Sequence, residues 1–86
     1  MECSVEISMY PIKNNYKPAI IEFIKRLRKH PFITIETNGM STQVFGDYKR
    51  VMKAINTEIK NTFTNEGKVV FNMKVMNGNL SAKPQL

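Results

Sequence analysis

The stretch FITIETNGMSTQVFGD (Phe32–Asp47) decides the fold. It holds two runs of alternating polar and apolar residues around Asn38-Gly39, a pair that marks a tight hairpin turn. With Asn38 and Gly39 as the two central residues of a type I′ turn, Thr37 faces Met40. Glu36 then faces Ser41, Ile35 faces Thr42, Thr34 faces Gln43 and Ile33 faces Val44. Residues directly opposite share a face. Ile33, Ile35, Thr42 and Val44 therefore turn to the core, and Thr34, Glu36, Ser41 and Gln43 turn away. The apolar pattern and the turn agree, so the segment is expected to be a hairpin. The turn needs Asn38 and Gly39. It does not need the polar residues crowded around them, which makes the hairpin end a candidate binding rim.

The flanking segments complete the topology. In ECSVEISMY, Cys3, Val5, Ile7 and Met9 alternate with Ser4, Glu6, Ser8 and Tyr10, which predicts a half-buried strand ending at Pro11. A helix follows, with Asn14 or Asn15 as its cap, Pro18 in its first turn, and Ile20, Ile21, Phe23, Ile24 and Leu27 as its apolar stripe. After the hairpin, Asp47 is placed to cap a second helix. Its stripe is Val51, Met52, Ile55, Ile59 and Phe63, and Gly67 ends it. KVVFNMKVM is a last strand with Val69, Phe71, Met73 and Val75 inward. The order strand, helix, strand, strand, helix, strand, with right-handed crossovers, gives an α+β ferredoxin-like sandwich. Its four-stranded antiparallel sheet has the order 4-1-3-2, with both helices on one face. The other face carries Glu6, Ser8, Glu36, Gln43, Phe45, Asn72 and Lys74.

The chain has 86 residues, 42% hydrophobic and 23% charged, the scale of one folded domain. Residues 1–78 are expected to form it and 79–86 a flexible tail. The single cysteine, Cys3, excludes an intramolecular disulfide and a cysteine-based zinc cluster. No apolar run reaches the roughly 20 residues of a membrane span, and the first residues do not have the pattern of a signal peptide. A cytoplasmic protein is expected. The net charge of +6 concentrates in KRLRKH, Lys25 to His30, where cations favour the end of a helix dipole. No nucleic-acid-binding signature accompanies it, so neither a nucleic-acid nor a membrane partner is expected. His30 is read as a helix-end residue, and no metal site is expected.

In this topology the end of strand 1 lies beside the start of strand 3. Ser8 and Tyr10 thus approach Ser41 and Thr42, and the first helix begins at the same end. Its free N–H groups could attract an anion there. There is no phosphate-binding glycine loop, metal cluster or nucleophile–base set, so no catalytic residue is assigned and an enzyme is not expected.

The blocks VEISMYPI, YKPAIIEFIKRL, TNGMSTQVFGDYKRVMKAI and VVFNMKVMNG resemble the YkoF-like family of thiamine- and hydroxymethylpyrimidine-binding proteins, in its single-domain form. The resemblance runs from about Val5 to Gly78 and is most specific at the TNxMSTxxxG block. It implies a ferredoxin-like fold, a binding role without catalysis, no cofactor, and a homo-oligomer, dimer or tetramer. It also implies a small-molecule ligand, thiamine or its pyrimidine precursor. By motif match the ligand contacts fall on Ser8, Asn38, Met40, Ser41 and Thr42, with Glu6 beside them. Hydroxyls and amides suit an aminopyrimidine because they donate and accept, a carboxylate such as Glu6 could accept from its amine, and Met40 or Tyr10 could cover a ring face. The alternative is an oligomerising regulatory module of the same fold with a different small or anionic ligand.

Overall fold

The computed structural model describes residues 1–85. Its elements are β1 (Glu2–Pro11), α1 (Lys17–Arg28), β2 (Ile33–Thr37), β3 (Thr42–Asp47), α2 (Tyr48–Asn65) and β4 (Val69–Met76). The sheet order is β2-β3-β1-β4, all antiparallel, with both helices on one face. This is the α+β ferredoxin-like fold. Alternation along β1 puts Cys3, Val5, Ile7 and Met9 under the helices, where they meet Ala19, Phe23 and Leu27 of α1 and Val51, Ala54 and Ile55 of α2. Ile21, expected in the α1 stripe, and Phe63, expected in that of α2, instead stand half exposed.

The hairpin differs from the two-residue turn. Thr37 pairs with Thr42, Glu36 with Gln43, Ile35 with Val44, Thr34 with Phe45 and Ile33 with Gly46, two residues away from the expected register. The loop therefore has four residues, Asn38 to Ser41. Neither Asn38 nor Gly39 has the positive φ that a type I′ turn requires. The Asn38 side chain shapes the loop instead, its Oδ1 accepting from Met40 N at 2.8 Å and Ser41 N at 3.2 Å. Asn38 N closes it by donating to Ser41 O at 3.1 Å. A displacement of two keeps every side chain on its expected face, because strand periodicity is also two. The new register lines up Ile35, Val44, Val5 and Val75 across all four strands, a row of β-branched residues that pack well on a pleated surface.

The helix ends follow local chemistry in part. Asp47 caps α2, accepting from Arg50 N at 3.4 Å, as expected. Neither Asn14 nor Asn15 caps α1. That helix starts after Tyr16 with no capping side chain, and Pro18 supplies its preset φ in the first turn.

The face away from the helices is not bare. Phe45, expected as an exposed apolar island there, is only 5% exposed. The segment after β4 turns back over it. Ser4, the neighbour of Phe45 on β1, donates its hydroxyl to Gly78 O at 2.6 Å and accepts from Leu80 N at 2.8 Å. Asn79 reaches Glu2 at 2.9 Å, and Lys83 lies 3.9 Å from Glu36 on β2. Part of the expected tail over 79–86 thus straps the sheet, while Leu86 falls outside the described residues.

Two glycines separate the observed hairpin from the expected one. A Cβ at Gly39 would meet nothing within 4 Å, whereas at Gly46 (φ +150°) it would stand 3.1 Å from the Phe32 carbonyl oxygen. Gly39→Ala is therefore expected to leave stability within about 0.5 kcal/mol of the parent, and Gly46→Ala to cost roughly 1–3 kcal/mol. Urea unfolding of both variants checks this, and a large loss at Gly39 would restore the type I′ turn.

Candidate functional site

A cavity of about 470 Å³ opens where β1 ends, α1 begins and the hairpin turns. Ser8, Tyr10, Asn38, Met40, Ser41 and Thr42 all line it. Its apolar floor comes from Ile7 and Met9 of β1 and from Ile20, Phe23 and Ile24 of α1, so the cavity is an unfilled corner of the core. No Lys, Arg, His, Asp or Glu contributes to its lining. Met40 and Tyr10, 87% and 55% exposed, stand at its mouth.

Thr42 is 6% exposed, and its Oγ1 lies 2.7 Å from that of Thr37. Each hydroxyl can donate once. One donation is spent between the two, so the pair retains one hydrogen and spare lone pairs for a third partner. Ser41 turns the other way and donates its hydroxyl to Glu6 Oε2 at 3.0 Å. Glu6 sits on the strapped face, 3.7 Å from Lys74, and does not line the cavity. The residues selected from sequence thus gather at one end of the sheet but serve two sides of it. Thr37 was missed as a site residue because only the observed register sets it opposite Thr42. Ile20, Phe23 and Ile24 read as core, which they also are.

A second cluster lies between the helices. Glu58 is 5% exposed and accepts from Arg26 Nε at 2.9 Å, Asn61 Nδ2 at 3.1 Å and His30 Nε2 at 2.7 Å. Arg26 Nη2 also donates to Thr62 Oγ1 at 2.7 Å. His30, read from sequence as a helix-end residue, thus also hydrogen-bonds to α2 through Glu58. Burial pushes the Glu58 carboxyl up, but the hydrogen bonds from His30, Asn61 and Arg26 outweigh it and hold the group below the ordinary glutamate range. As an ionised carboxylate only accepts, Nε2 of His30 carries the hydrogen. Among the described residues no group of three or more His, Cys, Asp or Glu could hold a metal ion, and no helix is long and apolar enough to cross a membrane.

No family model matches the chain, and no curated protein matches it. Solved structures do. A Streptococcus pneumoniae protein superposes with a TM-score of 0.83 at 17% identity, over 93% of this chain and 90% of its own. A Thermotoga maritima protein provisionally named for thiamine biosynthesis/salvage gives 0.79 at 14% identity, over 91% and 85%. A Bacillus cereus domain of unknown function, DUF77, gives 0.73 at 12% identity, over 98% and 83%. The chain is similar to these in fold.

The lowered pKa of Glu58 has a stability consequence of defined sign. A carboxyl depressed in the folded state stabilises the fold above its unfolded value, and that contribution is lost as pH falls through the folded value. Glu58→Gln is expected to cost about 2 kcal/mol at neutral pH and to flatten the loss of stability on acidification below about pH 4.5. Urea unfolding from neutral to acidic pH measures both effects.

Proposed function

We propose that the protein binds a small heterocycle by its uncharged pyrimidine ring in the cavity at the hairpin end, without catalysis, and that this ligand is the pyrimidine precursor of thiamine or thiamine itself. The supporting observation is the convergence of six sequence-selected residues on one cavity whose lining carries no charge. Its volume lies within the range of small-molecule sites, and its combination of apolar floor and few hydroxyls is typical of them. The Thr37–Thr42 pair offers one donor and spare acceptors to the edge of an aminopyrimidine. Met40 and Tyr10 at the mouth are suited to cover a ring face. The fold similarity to the Thermotoga protein named for thiamine biosynthesis/salvage agrees with this ligand, as does the YkoF-like pattern of the TNGMST block.

In the same proposal the protein is cytoplasmic and works as a homo-oligomer. Support for assembly comes from β4, an edge strand whose Val70 and Val75 are 52% and 50% exposed on opposite faces. A monomer by light scattering at micromolar concentration would count against it.

A thermal-shift screen with thiamine, its phosphates and hydroxymethylpyrimidine tests the ligand. At 100 times its dissociation constant a ligand adds roughly 2.7 kcal/mol, a rise of roughly 10–20 °C for a domain of this size. By calorimetric titration, Thr42→Val is expected to weaken binding by several-fold, the loss of one hydrogen bond, whereas Ser41→Ala, whose hydroxyl is held by Glu6, is expected to change it less. Lys25→Ala should leave it unchanged. Equal effects at all three positions would overturn the site.

A further inference from the structure

Phe32 is the only described non-glycine residue with positive φ, at +64°. A Cβ is disfavoured there, and Asn or Gly would sit at lower cost. The ring does not offset that strain by burial, because the residue is 75% exposed. Over the ring lies Arg50, whose guanidinium carbon stands 4.3 Å from the centroid. A second local rule is broken beside it. The first turns of α2 carry Lys49, Arg50 and Lys53 and no acidic residue, so cations crowd the positive end of the helix dipole. Arg28 and Lys29, at the end of α1, precede Phe32 in the chain by four and three residues. None of these five cations forms an ion pair among the described residues. The nearby carboxylates are engaged: Asp47 caps α2, and Glu58 is held by Arg26 and His30. Places where a sequence violates local preference without packing gain are where function is to be sought.

We propose that this corner, where α1 ends and α2 begins, binds single-stranded nucleic acid, with Phe32 stacking on a base and Arg28, Lys29, Lys49, Arg50 and Lys53 contacting phosphates. The partner must be anionic, to relieve the cations at the helix dipole, and must carry a planar ring, to use an exposed aromatic already backed by a guanidinium. Unstacked bases on a phosphate chain have both properties. A duplex hides its base faces. A lipid surface would take a bare projecting apolar group, whereas here a charged group lies over the ring. Tyr48, 45% exposed, opens α2 two residues before Arg50. The site is independent of the cavity, which lies at the other end of the strands, and it departs from the sequence expectation of no nucleic-acid partner.

Fluorescence anisotropy of a short labelled oligothymidylate with the intact protein tests the proposal. Saturable binding that weakens with salt is expected. Phe32→Asn should lower affinity at least about fivefold, the loss of one stacked base, while leaving or raising the melting temperature because Asn accepts the left-handed conformation. Arg50→Ala should lower affinity and make the slope of log affinity against log salt shallower by about 0.7. Thr42→Val, in the cavity, should bind the oligonucleotide as the parent does. Full affinity in Phe32→Asn, or a fall in its melting temperature, would overturn the stacking role. Binding to phosphatidylserine vesicles without binding to the oligonucleotide would overturn the partner class.

Discussion

The side-chain carbonyl of Asn38 shapes the loop on which the pairing of β2 with β3 and the candidate site depend. By accepting from two backbone amides of its own loop it supports a four-residue connection in place of a two-residue one. Loop length fixes how β2 meets β3. That pairing puts the Thr37 and Thr42 hydroxyls in contact and leaves Ser41 beyond the strand end, where it reaches Glu6. Two hydrogen bonds of about 1 kcal/mol each are small against the burial of the sheet. They suffice because the competing register differs by two residues, so the same side chains are buried in both and the core hardly discriminates.

That degeneracy explains what could be foreseen from sequence. Element order, the inward faces of β1, β2 and β3 and the Asp47 cap were legible, because each rests on periodicity or on chemistry within a few residues. The register was not. Asn-Gly suits a type I′ turn and an Asn-capped loop alike, and parity of the strands cannot tell them apart. The gathering of Ser8, Tyr10 and Ser41 at one end followed from topology and needed no register, whereas the partnership of Thr37 with Thr42 did. The Glu58 cluster was illegible because Arg26, His30 and Glu58 meet only through the crossing of the helices. The burial of Phe45 was equally hidden, since alternation describes strands and says nothing about a segment that crosses them.

The strands also separate two kinds of surface. The cavity occupies the end where β1 finishes and β3 starts, and its lining is uncharged. Lys49, Arg50 and Lys53 sit at the other end, where β3 finishes and α2 begins. Strand β3 has six residues, roughly 20 Å along its length. That is about two Debye lengths at physiological salt. A charge bound at one end is therefore screened from the other, and the two ends can be altered by substitution without electrostatic interference.

The lone thiol turns the sheet into its own clock. Cys3 lies at the middle of the order, on β1, with 0% exposure between Gly46 and the helices. Burial, with the Glu2 charge adding to it, pushes the pKa of its thiol up, so the residue is both out of reach and protonated. Alkylation proceeds through the thiolate. A reagent added to the native protein consequently gains access only when β1 is uncovered. The rate of modification reports that opening directly, with no label to introduce and no second cysteine to confuse the signal.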